Sequence, residues 1–200
     1  MTPSCITPNP YGVSPGKQEE GHLDWQNNEG AVIWITGLSG AGKSSIACEV
    51  VRLLRREQRP VAFLDGDEIR AAIADPHVGY DRESRLANAM RICRFARIFS
   101  RQGLTVVVAT MSLFGEVYEW NRLFLPHYFE VYIRVSSQTL KKRNPNGLIS
   151  RMERGEIRQV VGGDLDYDEP KTSHLIVDND EDLGSFGEIA SRVLHQFEGR

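Results

Sequence analysis

The most chemically loaded stretch of this chain is Gly37-Leu38-Ser39-Gly40-Ala41-Gly42-Lys43-Ser44, which fits G-x-x-x-x-G-K-[ST]. Glycines let a backbone curl with its N–H groups turned inward around an anion. Lys43 can reach the β- and γ-phosphates of a nucleotide, and the Ser44 hydroxyl can hold Mg²⁺. Gly37 through Ser45 are therefore the expected ATP-binding set, with Lys43 as a catalytic residue. A second polar cluster is Asp65-Gly66-Asp67. A carboxylate there can hold Mg²⁺ or accept a proton from an attacking hydroxyl. An Asp-Gly turn with no such role is the plainer alternative.

Arg70 lies one helical turn beyond Asp67, and Arg85 and Asn88 are three apart, hence neighbours on one helix face. Guanidinium and amide groups suit phosphates, ribose and a base edge. Tyr80 can stack on a base or simply pack at a helix start, and its type alone does not choose. Residues 144–171 are charged, carry four glycines and two prolines, and have little apolar pattern. With Arg143 just before them, and Arg151, Arg154, Arg158 and Lys171 within, they read as a mobile lid over phosphates or as a long solvated loop.

Elements that alternate between strand and helix must position these groups. Ala31-Val32-Ile33-Trp34-Ile35-Thr36 is an apolar, β-branched run before the glycine loop, and Ile46, Ala47, Val50, Val51 and Leu54 follow it at helical spacing over about 43–57. Val61–Leu64 reads as a strand ending at Asp65, 67–74 as a short helix, 82–102 as a long helix and 104–109 as the strongest strand. Helices at about 114–124 and 137–143, strands at 129–135 and 174–177, and a closing helix at 183–197 complete the pattern. Such alternation predicts an α/β fold of the P-loop NTPase type, with about five parallel strands sandwiched by helices. Ligands in such folds sit beyond the carboxyl ends of the strands. Three polar features fall there: the glycine loop, Asp65-Gly66-Asp67 and Thr110-Met111-Ser112.

The 200 residues suit one such domain, over 30–200, with a lid at about 144–171. Residues 1–29, with Pro3, Pro8, Pro10 and Pro15 and no periodic apolar face, read as a disordered extension. A net charge of −3 argues against a nucleic-acid surface, and no apolar run is long enough for a membrane span. Cys5, Cys48 and Cys93 lack metal-ligand spacing. Cys48 and Cys93 read as buried helix thiols, in keeping with a reducing cytoplasm.

Taken together, the glycine loop, Leu64-Asp65-Gly66-Asp67-Glu68-Ile69-Arg70, Gly147-Leu148 and Gly155-Glu156-Ile157 resemble the adenylylsulfate (APS) kinases over about residues 31–180. The resemblance implies phosphoryl transfer from MgATP to the ribose 3′-hydroxyl of a small nucleotide, giving 3′-phosphoadenylylsulfate (PAPS) in sulfate activation. It implies that Asp65 is the base or magnesium-linked carboxylate. The acceptor would lie on Asp67, Arg70, Tyr80, Arg85, Asn88, Met111, Ser112 and Lys171, and Arg143 would serve ATP. Tyr80 stands where the family has a phenylalanine stacked on the base. A homodimer is a family expectation.

Three stretches depart from the family pattern. Met111-Ser112-Leu113-Phe114-Gly115 replaces Ile-Ser-Pro-Tyr-Arg, Val160-Val161-Gly162 replaces Phe-Thr-Gly, and Arg143-Asn144-Pro145-Asn146-Gly147-Leu148-Ile149 replaces Arg-Asp-Pro-Lys-Gly-Leu-Tyr. These changes look more like a divergent branch, the cytidine diphosphoramidate kinases of capsule modification, so both acceptors stand. A nucleotide-binding regulatory module without transfer is the non-enzyme alternative. A GTP switch lacks its N-K-x-D signature.

Overall fold

The computed structural model describes residues 29–74, 79–144, 147–180 and 185–200. The extension expected at the N-terminus therefore lies, but for Glu29, outside the described residues. Five strands form one parallel sheet in the order β2-β3-β1-β4-β5: β1 (Ala31–Gly37), β2 (Val61–Asp65), β3 (Thr105–Thr110), β4 (Tyr128–Arg134) and β5 (Leu175–Asp178). The central strands β1 and β3 are buried along their whole length. The edge strand β2 is mostly half-buried, because it has a neighbour on one side only.

Side-chain alternation along β1 builds two cores. Ile33 and Ile35 face α1 (Lys43–Arg56) and α7 (Phe186–Glu198), while Val32 and Trp34 face α3 (Arg82–Ser100) and α4 (Gly115–Phe124). Helix α1 buries Ile46, Ala47, Val50, Val51 and Leu54. Cys48 falls on its opposite face and is exposed, against the expectation of a buried thiol. Cys93 is buried as expected, and desolvation pushes its thiol up to about 12. Helix α2 (Gly66–Ile73) starts directly at the end of β2, and α5 (Ser137–Arg143) follows β4. The 144–171 segment holds one helix the sequence did not suggest, α6 (Leu148–Glu153), only six residues long with no buried face.

Both ends of that segment are tied down. Arg143 donates to Gly40 O at 3.3 Å and to Asn179 O at 2.7 Å. At the other end, Ser173 Oγ donates to the fully buried Glu130, which also accepts from Tyr128 Oη and Arg122. The Glu130 N–H donates to His174 Nδ1 at 2.8 Å, so this histidine must keep Nδ1 unprotonated. Burial, with Arg200 nearby, holds its pKa below the ordinary value.

Candidate active site

The turn between β1 and α1 reverses direction through left-handed glycines, with φ of 78° at Gly40 and 95° at Gly42. A Cβ at Gly37 would sit 2.5 Å from Ile133 O, so that position needs glycine for space as well as φ, while one at Gly42 would press on Asn179 Nδ2 at 3.0 Å. Gly42 is the N-cap of α1, no side chain among the described residues caps the helix, and its first turn carries no acidic residue. The free N–H groups and the helix dipole are thus left for an anion.

Lys43 Nζ donates to Leu38 O at 2.8 Å. Desolvation is the main influence on this ammonium, and it lowers the pKa from 10.5 to about 8, against the opposing pull of Asp67 and Asp65. Ser44 Oγ donates to Asp65 Oδ2 at 2.7 Å. The other oxygen, Oδ1, accepts from the N–H groups of Asp67 at 2.9 Å and Glu68 at 3.4 Å, which makes Asp65 the N-cap of α2. One carboxylate is thus oriented by a helix end and aimed at the loop serine. Two hard oxygens side by side suit a magnesium ion that draws its remaining ligands from water and phosphate. No group of three or more His, Cys, Asp or Glu side chains among the described residues offers an all-protein cage.

From there a cleft of about 120 Å³ runs along the ends of β2 and β3. It brings together Ser39, Lys43, Ser44, Asp65, Asp67, Arg70, Tyr80, Arg85, Asn88, Met111 and Ser112, a set drawn from five parts of the chain. Thr110 and Ser112 share a hydrogen bond of 3.0 Å on its floor. Asn88 is buried, and its amide oxygen has no partner among the described residues, which leaves an acceptor for a ligand donor. Arg70 donates to Gly79 O at 3.1 Å. Arg85 donates to Tyr80 O at 2.6 Å and to Gln159 O at 3.0 Å. Desolvation, then the charge of Arg70, lowers the Arg85 pKa, so these two guanidiniums sit close enough to repel. A larger hollow of about 450 Å³ lies outside α1 and β2, lined by Cys48, Arg52 and Phe63 among others, but it holds none of the motif residues.

Other expected residues fall elsewhere. Arg143 reaches the glycine loop through the Gly40 carbonyl. Lys171 is exposed and does not line the cleft. Arg154 pairs with Glu156 on the surface at 2.5 Å, with Arg151 3.7 Å from the same carboxylate. The Val160-Val161-Gly162 stretch forms a tight turn, its Gln159 and Val160 N–H groups donating to Asp164. Val160 is buried there, and a Cβ on Gly162 would meet Leu38 of the glycine loop at 3.0 Å. Gly115, where the family has an arginine, donates its N–H to Asp168 at 2.9 Å.

Asn179 was not anticipated. It is buried behind the loop and donates to Ala41 O at 2.8 Å. A lone asparagine after the last strand carries no local signal of a partner so far back in the chain.

Comparison with known proteins agrees with this geometry. A family model described as adenylylsulphate kinase matches residues 29–178. A cytidine diphosphoramidate kinase from Campylobacter jejuni is 36% identical over 76% of this chain and 88% of its own. An adenylyl-sulfate kinase from Pseudomonas aeruginosa is 35% identical over 74% of this chain and 76% of its own. Among solved structures, the Mycobacterium tuberculosis APS kinase in complex with AMPPNP and APS superposes with a TM-score of 0.77 at 31% identity, covering 86% of this chain and 99% of that one. With a family match over most of its length and a shared fold, the chain belongs to the adenylylsulphate kinase family, phosphotransferases that use an alcohol group as acceptor.

Proposed function

We propose that this protein transfers the γ-phosphoryl group of ATP to the ribose 3′-hydroxyl of adenylylsulfate, a cytoplasmic step of sulfate activation that yields the 3′-phospho product. The observation that carries the reading is the Ser44–Asp65 contact, which joins the glycine loop to a cleft holding Arg70, Arg85 and Asn88. In this reading Gly37 to Ser45 cradle the triphosphate, Arg143 braces the loop beside it, and Lys43 neutralises charge on the group in transfer. Ser44 and Asp65 would hold Mg²⁺, which would supply neutralisation of phosphate charge. Asp65 also orients the 3′-hydroxyl or takes its proton. Arg70, Arg85, Asn88, Met111 and Ser112 position the acceptor. The 144–171 lid, with Lys171 arriving on closure, excludes water.

Two observations favour a second acceptor, cytidine diphosphoramidate. Val160 fills the lid turn where an aromatic clamp is usual, and Gly115 meets Asp168 in place of an arginine. The C. jejuni relative bears that activity in its name. The deciding experiment supplies MgATP with each acceptor and follows ADP release. Faster turnover of adenylylsulfate upholds the first reading, and faster turnover of the cytidine compound installs the second. ADP release with neither leaves a nucleotide-binding module. A homodimer belongs to this proposal: Ile98 on α3 and Leu123 and Phe124 on α4 are exposed apolar side chains that a second copy would cover, and Leu123→Asp would then give monomers in light scattering.

A further inference from the structure

Helix α4 starts without a cap of its own. Its N-cap residue is Phe114, whose side chain accepts no hydrogen bond, so the N–H groups of the first turn need a partner from elsewhere. Glu116, the acidic residue of that turn, pairs with Arg82 at 3.0 Å instead. The partner comes from 53 residues further along the chain: Asp168 Oδ2 accepts from Gly115 N–H at 2.9 Å. Its main chain makes two more bonds to the same stretch. Asp168 N–H donates to Leu113 O at 3.1 Å, and Asp168 O accepts from Tyr118 Oη at 2.8 Å. Leu113, Phe114 and Tyr118 are buried, whereas Asp168 is exposed. One residue near the end of the 144–171 segment thus grips the turn from β3 into α4 at three points. On the side of α3, the Arg82 guanidinium carbon lies 5.3 Å from the centroid of the Phe114 ring. The gripped turn carries Met111 and Ser112, which line the cleft just ahead of Leu113. Slack at Leu113 or Gly115 would pass to them within a few residues.

We infer that Asp168 is a positioning residue for the phosphoryl acceptor: by capping α4 from a distant segment it holds Met111 and Ser112 in place on the floor of the cleft, without touching the acceptor itself. The inference rests on the nucleotide-acceptor reading and asks nothing of the acceptor's base. A carboxylate suits the task because the N-terminal end of a helix favours negative charge. An asparagine would serve nearly as well, since its amide oxygen caps a helix about as strongly.

Three variants test it. Asp168→Ala removes the cap and keeps both main-chain bonds, and Asp168→Asn keeps an accepting oxygen. Gly115→Pro removes the same hydrogen bond from the donor side. Proline is at home as the first residue of a helix, and Phe114 before it is already extended, with φ −133° and ψ 132°. Each protein is filled with magnesium and a non-hydrolysable ATP analogue, then titrated calorimetrically with adenylylsulfate and with cytidine diphosphoramidate. The expected result is roughly fivefold weaker acceptor binding in the Ala and Pro variants, with the Asn variant and the affinity for the ATP analogue within about twofold of the parent. The Ala–Pro double variant should be no worse than either single one, because both remove one bond. In turnover, the acceptor KM should rise by more than kcat falls. Hydrogen exchange of the 115–118 amides, read by mass spectrometry without acceptor, should quicken in the Ala variant and not in the Asn variant. Parental acceptor binding in the Ala variant would overturn the inference. So would a loss shared equally by acceptor and ATP analogue, which a merely structural cap would give, or exchange as slow as in the parent. A parent that binds an acceptor but transfers no phosphate to it would sink the proposed function alone, because the titrations and the exchange still read the cap.

Discussion

Asn179 offers a sharp test of how the phosphate loop is held. Its side chain reaches from the end of β5 to the carbonyl of Ala41, a residue with no exposed surface. Asn179→Ala removes that donor and leaves the carbonyl buried without it. A buried acceptor stripped of its partner costs about 1–3 kcal/mol. For a chain of this size, that lowers the melting temperature by about 3–9 °C. The loss is also local. Arg143 still donates to Gly40 O and to the main-chain Asn179 O, which alanine retains, so the loss falls on the Ala41 tether. ATP should then bind about tenfold more weakly, while acceptor affinity, set on the far side of the cleft, changes less. Differential scanning calorimetry and ATP titration of the purified variant read the two effects separately. A variant that melts within a degree of the parent and binds ATP equally well would show that the glycine loop holds its shape without this brace.

Three further outcomes follow from the site. Lys43 must be protonated to meet phosphate, and its folded pKa of about 8 lies below the unfolded 10.5. Burying the charge therefore penalises the fold below about pH 8, the penalty is relieved as pH rises towards 10.5, and ATP affinity falls over the same range. At pH 8.5, calorimetry in buffers of different ionisation enthalpy should detect uptake of roughly three quarters of a proton on ATP binding, and zero uptake would refute the shift. Asp65→Asn retains an N-cap for α2, so melting should change by less than about 1 kcal/mol while turnover falls at least about 100-fold. Turnover near the parent rate removes Asp65 from the transfer step. Gly162→Val places a branched side chain at φ 79° and against Leu38, which costs the seated turn about 1–2 kcal/mol. The expected result is about tenfold slower transfer with a larger share of ATP lost to water, and an unchanged ratio of transfer to hydrolysis would dismiss the lid role.

Much of this architecture was legible because its signals are local. The glycine loop announces its own strand and helix, and Asp65 caps α2 within three residues of itself. Arg85 and Asn88 share a helix face by spacing alone. The face of α1 was legible too: with Ile46, Ala47, Val50, Val51 and Leu54 buried, Cys48 had to point away, and the periodicity held that answer. Other features were not local. Asn179 and Glu130 owe their roles to partners on distant segments. Helix α6 buries no face, so it left no apolar period to find. Lys171 was placed at the acceptor by family position only, and it stands outside the cleft.

The all-parallel sheet has a consequence during synthesis. Central β1 is buried on both faces and pairs with β3 and β4, whose residues leave the ribosome about 75 and 95 positions later. At ordinary elongation rates Val32, Ile33, Trp34 and Ile35 therefore wait about 4 to 20 s with both hydrogen-bonding edges open. The segment that later cradles the phosphates is attached to the stretch of chain most exposed to aggregation while the protein is being made, so a weakened β1 would show first as poor yield and only afterwards as poor catalysis.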